Sequence, residues 1–193
     1  MYLSEERTYS FGAVRVLEQG TPVPFTLTNV GLQDLHLTGT PAATITGRDP
    51  GDFSLDLGTM PAKLAPGAQV TFTITFKPAA GGPRFAELLL PTSDEESPLV
   101  IKLGGQGTRL ETTITNLEDI VLKASAAPFQ LNAKTNSTAP VTYSVVAGNG
   151  QVELSGENNS HVKIIKGGYV TIKANVEEND LYKAAFRLIV LTM

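Results

Sequence analysis

The chain has 193 residues, of which 41% are hydrophobic and 18% charged, and a net charge of -4. That length and apolar content suit two domains of roughly 100 residues each, while the mild acidity and the lack of any Lys/Arg run argue against a nucleic-acid partner. With no cysteine and no tryptophan, disulfides, thiolate nucleophiles and Cys-based zinc sites are excluded, and no apolar run reaches the roughly 18 residues of a membrane helix.

The opening segment MYLSEERTYSFG carries no basic region followed by an apolar stretch, so no signal peptide is expected in it. Beyond it, Val23, Phe25 and Leu27 alternate with Pro24, Thr26 and Thr28, the period-two signature of a half-buried strand. Asp49-Pro50-Gly51 interrupts the chain with a strong turn signal, and Phe53 and Leu55 follow as inward-facing residues. The clearest strand is Gln69–Lys77, where Val70, Phe72, Ile74 and Phe76 share one face and Thr71, Thr73, Thr75 and Lys77 the other. A strand over Pro98–Leu103 closes the first module, and Gly104-Gly105-Gln106-Gly107-Thr108 reads as a short, exposed linker.

Composition changes there. Residues 1–107 hold 7 Lys+Arg against 11 Asp+Glu and 10 Pro, whereas 108–193 hold 8 against 8 and 2 Pro. Near the far end, Val170, Ile172 and Ala174 alternate with Thr171, Lys173 and Asn175. Eighteen Gly and 12 Pro leave little room for long helices. The expected fold is therefore all-β: two tandem immunoglobulin-like β-sandwich domains, 1–107 and 108–193.

Phe25-Thr26-Leu27-Thr28-Asn29-Val30-Gly31, the stretch Ile45–Leu55, Leu64-Ala65-Pro66-Gly67, Phe72–Pro78 and Leu103–Gly107 follow one another in order. Over about residues 10–107 this succession resembles the Ig-like repeat of choice-of-anchor D proteins, and it is similar to Hydin-type and major-sperm-protein-like modules. In the second half the carriers are Ala127–Ala133, Ala139–Val146, Gly167–Ala174 and Asp180–Ala185. Over about residues 112–191 they resemble bacterial Ig-like modules of the MBG type. Asn175–Asn179 departs from that pattern by lacking a Gly before its second Asn. The two resemblances imply tandem modules of a large secreted or surface-attached protein, and neither implies catalysis.

Candidate chemistry is sparse. Asp49 and Asp52 flank Pro50-Gly51, but Asp56 is the only other nearby acid and no Glu follows until Glu87, a poor calcium cage. An Asx-type turn at Asp49 is the expectation. His36 is expected to point outward between Leu35 and Leu37, and His161 to lie in a polar loop after Asn158-Asn159-Ser160. Ser155 has Glu153 and Glu157 where a nucleophile elbow needs glycines. Asp94-Glu95-Glu96 reads as a solvated hairpin loop. Gly104–Gly107 lacks the GK[ST] of a phosphate loop. Asn136-Ser137-Thr138 and Asn158-Asn159-Ser160 fit a glycosylation sequon, though turns favour the same residues. Tyr143, Tyr169, Tyr182 and Phe186 are read as core rather than as a sugar-stacking platform, with Tyr182 after Asp180 resembling a tyrosine corner.

No catalytic, cofactor-binding or metal residue is assigned, and no enzyme activity is expected. The function expected is a non-catalytic structural or adhesive segment, a stalk or spacer of a bacterial secreted or cell-surface protein. Its partners would be neighbouring modules of a longer chain, surface proteins or glycans. The alternative is a carbohydrate- or protein-binding module using loops at the sandwich ends. A cytoplasmic scaffold is a further option, because Hydin-type relatives are intracellular.

Overall fold

The computed structural model describes residues 8–193, so the opening segment Met1–Arg7 lies outside the described residues. Contacts divide the chain into two units, Met1–Arg109 and Leu110–Met193.

In the first unit the strands are β1 (Thr8–Arg15), β2 (Val23–Thr28), β3 (Leu35–His36), β4 (Thr44–Thr46), β5 (Phe53–Asp56), β6 (Lys63–Leu64), β7 (Gln69–Phe76), β8 (Gly82–Leu90) and β9 (Leu99–Thr108). They form a four-stranded sheet in the order β1-β9-β8-β4 and a three-stranded sheet in the order β2-β7-β5, with β3 and β6 paired separately. In the second unit the strands are β10 (Ile114–Thr115), β11 (Ile120–Val121), β12 (Phe129–Gln130), β13 (Lys134–Thr135), β14 (Thr142–Ala147), β15 (Val152–Ser155), β16 (His161–Ile164), β17 (Tyr169–Val176) and β18 (Ala185–Thr192). Here the sheets run β11-β18-β17-β14 and β12-β16-β15, with a β10-β13 pair. No α-helix occurs among the described residues; Pro50–Asp52 and Glu157–Asn159 are single 3-10 turns. Each unit is an all-β, immunoglobulin-like sandwich of a four-stranded and a three-stranded sheet, with which the half-buried, period-two strands agree.

Alternation places the core. In β7, Phe72, Ile74 and Phe76 are buried, and Phe53 stacks on Phe76 at 4.9 Å while Phe25 stacks on Phe72 at 5.6 Å. β1 adds Phe11 to the same cluster, 5.5 Å from Phe53 and 6.0 Å from Phe76, and Tyr9 sets its edge against Phe11 and Phe25. In the second unit Val170, Ile172 and Ala174 of β17 meet Ile189 and Leu191 of β18 around the buried Tyr143 and Val162.

Gly104–Thr108 is not a linker. It is the second half of β9, which pairs parallel with β1 and antiparallel with β8 through Gly107. The glycines are there for clearance: a Cβ on Gly105 would sit 2.5 Å from the Phe76 ring, and one on Gly107 would collide with the Ala80 carbonyl. A strand stripped of side chains shows no alternation, which is why the sequence reads as loop. The contact boundary falls after Arg109, two residues beyond the sequence boundary at 107/108.

Candidate functional site

Among the described residues, the densest cluster of charged groups lies where the turn Asp49–Asp52 meets β8. Pro50 sets the first residue of the 3-10 turn, and the Asp52 N–H closes it on the Asp49 carbonyl at 3.1 Å. The Asp49 side chain does not cap its own turn, so the Asx-turn expectation is corrected. Its Oδ2 accepts the Phe85 N–H at 2.9 Å, and its Oδ1 meets Arg84 Nη2 at 2.8 Å. Asp52 is 4% exposed; its Oδ1 accepts the Ala79 N–H at 3.1 Å and its Oδ2 the Arg84 Nε–H at 2.5 Å. Arg48 adds a longer contact to Asp49, Nε to Oδ2 at 3.3 Å.

All four carboxylate oxygens are therefore engaged, two by backbone N–H groups and two by one guanidinium. A planar fork spanning two carboxylates is the geometry Arg supplies and Lys does not. To reach either aspartate a cation would have to displace Arg84, so the cluster can staple but is poorly suited to coordinate. It ties β8 to the turn that opens β5, and the Lys77 N–H donates to the Asp52 carbonyl at 2.8 Å, tying in the end of β7. Arg84 carries no signal in the sequence: it stands 32 positions beyond Asp52, and no local spacing links them.

The other candidates are dispersed. His36 is exposed in β3, and its N–H donates to Ser93 Oγ at 3.1 Å. His161 is the exposed first residue of β16, not a loop residue, and it faces Ser155 across the β15–β16 ladder. His36 belongs to the first unit and His161 to the second. Asp94–Glu96 lies in the exposed β8–β9 connection, where Asp94 Oδ1 accepts the Glu96 N–H at 3.1 Å. Asp56 Oδ1 holds its own turn by accepting the Gly58 N–H at 2.9 Å. The Asn136 amide is bonded to Thr113 N–H and to the Glu111 carbonyl, whereas Asn158 is exposed with φ 56°. No group of three or more His, Cys, Asp or Glu placed to hold a metal occurs among the described residues.

The aromatic expectation holds for one residue and fails for two. Tyr143 is buried; its hydroxyl accepts the Ala133 N–H at 2.9 Å, and burial raises its phenol above the usual value of 10.0, partly offset by that bond. Tyr169 is 71% exposed and Phe186 is 63% exposed. The reason is parity. With Val170 and Ile172 inward, Tyr169 must face out, and Phe186 pairs with the outward Asn175. Phe186 carries the Lys173 ammonium at 4.9 Å over its ring. The backbone-tying tyrosine is thus Tyr143; at Tyr182 the N–H, with that of Leu181, donates to Asn179 Oδ1. Asn179 also reaches the hydroxyls of Ser137 and Thr138, and no residue from 175 to 179 has positive φ, so the turn needs no glycine.

A third exposed aromatic, Phe85, lies 49% exposed on the outer face of β8. One side of its ring shields Gly104, its partner in β9, and Arg48 lies 5.5 Å from its centroid. An aromatic covering a cross-strand glycine is a sheet-building device.

No protein-family model matches the chain, and no curated protein matches it significantly. Among solved structures it is similar to the VesB protease of Vibrio cholerae, at 20% identity and TM-score 0.42 over 52% of this chain and 30% of that one. It is also similar to PapD-like domain 7 of human CEP192, at 18% identity and TM-score 0.37 over 54% and 82%. The titin domains z1z2 match at 12% identity and TM-score 0.36, over 94% of this chain and 92% of that one.

Proposed function

We propose that this chain is a non-catalytic structural segment, two sandwich modules that space their neighbours along a secreted or surface-attached protein. The observation that carries the reading is the saturation of the Asp49–Asp52–Arg84 cluster: the most reactive-looking groups of the described residues are consumed in holding the two sheets of one unit together. Sheet edges point the same way. β1 is interrupted by a register shift between Ser10 and Ala13, β2 carries Pro24, and β14 is shifted between Val145 and Ala147. The remaining edge strands have four residues or fewer. Such edges resist pairing with other chains. The resemblances to choice-of-anchor D and MBG-type modules support a place outside the cell. A glycan array and a hydrolase substrate panel run on the purified chain should both be blank; a reproducible micromolar glycan hit or any turnover would refute the reading.

One observation favours a protein-binding reading at a sandwich end. Leu32 is 97% exposed and stands beside exposed Val30 on a loop fixed at its base by buried Asn29. The Asn29 amide donates to the carbonyls of Gln33 and Leu64, both at 2.8 Å, and its Oδ1 accepts the Gly31 N–H. A rigid apolar tip suits an anchor for a partner's pocket, since little order remains to be gained on binding. Leu32→Asp would abolish such binding and leave the fold intact.

A further inference from the structure

In both units the first strand of the larger sheet lies parallel to the last strand of the unit, β1 beside β9 and β11 beside β18. A parallel pair whose chain enters at one end and leaves at the other meets tension along its length as shear. Every bond of the ladder is then loaded together, whereas peeling from one end breaks bonds one at a time. Resistance to pulling should scale with the number of residues paired along it and with the side chains that must leave the core before it slips.

The two units differ on both counts. β1 and β9 share six register pairs in two runs of three, Thr8–Ser10 on Lys102–Gly104 and Ala13–Arg15 on Gln106–Thr108, with one bulge between them. The bonding continues past the strand: the Val16 N–H donates to the Thr108 carbonyl at 3.0 Å and the Leu17 N–H to the Pro78 carbonyl at 2.9 Å. Behind the ladder, Tyr9 lies 4.9 Å from Phe11 and 5.0 Å from Phe25, and Phe11 packs on Phe53 and Phe76. A slip of one residue would turn Phe11 out of the core and break the Tyr9 contacts, because side-chain direction alternates along the strand.

In the second unit β11 and β18 share two pairs, Ile120↔Leu191 and Val121↔Thr192, followed by the Leu122 N–H on the Thr192 carbonyl at 2.9 Å. Ile120 packs against the core, but Val121 is 80% exposed and anchors nothing. Nearer the entry of the unit, Leu110 makes an isolated parallel bridge to Tyr182, with the exposed Glu111–Lys183 ion pair beside it. These patches are separate in sequence, so load falls on them in turn.

We infer that the chain is a graded tension element, in which the first unit resists force and the second yields before it. This rests on the spacer reading above and gives the spacer a mechanical order. The test is single-molecule pulling of the full chain between handles at its two ends. Unfolding about 100 residues of the first unit releases ~36 nm of chain and about 80 of the second ~29 nm, so the two events are told apart by length. The shorter release should come first and at the lower force. The longer release first, or both at one force, would overturn the inference.

A second arm moves the attachment points without touching the core. The chain has no cysteine, so Thr8→Cys together with Val100→Cys gives two exposed anchors at the same end of the β1–β9 pair. Pulling there peels the ladder, and the first unit should open at a several-fold lower force than under end-to-end load. Equal forces in the two geometries would show that the β1–β9 pair is not the resisting element. Binding or turnover in the glycan and hydrolase assays would sink the spacer reading without altering the order of yielding; a reversed order would sink the inference and leave those assays blank.

Discussion

Replacing Arg84 with methionine removes the guanidinium but keeps an unbranched apolar stem in its place. Asp49 Oδ1 and Asp52 Oδ2 then lose their charged donor, while each carboxylate keeps one backbone N–H. Both side chains are less than a tenth exposed, so water cannot readily take over. Asp49 keeps the longer contact to the exposed Arg48, but Asp52 is left with no cationic partner. Removing one partner from a buried ion pair costs ~3–5 kcal/mol, because a desolvated charge is left uncompensated. Against a domain stability of ~5–15 kcal/mol that is a large share. For a unit of about 100 residues the loss corresponds to a fall in melting temperature of ~12 °C or more, and to a drop in urea midpoint of at least ~1 M. Urea unfolding followed by circular dichroism gives the size of the effect, and hydrogen exchange should place it in β5, β7 and β8. Arg84→Lys should fall between, since one ammonium cannot span both carboxylates as the fork does. Neutralising all three groups, with Asp49→Asn and Asp52→Asn added to Arg84→Met, should cost less than Arg84→Met alone, because no buried charge remains. A loss below ~1 kcal/mol for Arg84→Met, the size of an exposed pair, would refute the reasoning.

Three further outcomes are expected. Saturating calcium should leave the melting temperature unchanged, because every oxygen of Asp49 and Asp52 already has a donor; a rise of several degrees that Asp52→Ala abolishes would mean a cation displaces Arg84. Gly105→Ala drives a methyl into the Phe76 ring and should destabilise the first unit by ~1–3 kcal/mol, and a Phe76→Leu background should relieve part of that cost, measured as non-additivity in a double-mutant cycle. Burial raises the Tyr143 phenol above its usual value, so the unfolded chain ionises first; the stabilisation from keeping it neutral is complete below pH ~10 and shrinks as pH rises through that range. Tyr143→Phe should lose about 1 kcal/mol at neutral pH with the Ala133 bond, yet show a shallower decline in alkali, and an unchanged decline would show that the phenol is solvated.

Legibility in the sequence followed the exposure of one face. β7 and β17 were readable because each has a buried face of Val, Ile, Phe or Ala and an outer face of Thr, Lys or Asn. β18 was not, because Phe186, Leu188 and Val190 on one face and Ile189 and Leu191 on the other are all apolar, so the run has no parity to read. Nothing in that run marks Phe186 as outward-facing. The site divided the same way. The turn at Pro50-Gly51 is local chemistry and showed at once, but the staple needs Arg84, which becomes a neighbour only when β8 folds beside β4 and the turn before β5. Long-range electrostatic pairing leaves no periodicity.

The glycines of β9 join these observations to the mechanical reading. Glycine inside a strand costs conformational entropy and packs nothing itself, so three of them between 104 and 107 would weaken an isolated ladder. Here their absence of side chains lets the Phe76 ring and the Ala80 carbonyl press against the backbone, and it leaves Gly104 to be shielded by Phe85. The ring thus seated under β9 is the one Phe11 of β1 packs upon. β1 is therefore held to β9 through the ladder and to the core beneath β9 through Phe11, two attachments that must fail together if the strand is to slide. In β11 the second attachment is one partly buried isoleucine. The same glycines that disguise the strand as a linker are what permit the first unit to grip its entry strand from both sides.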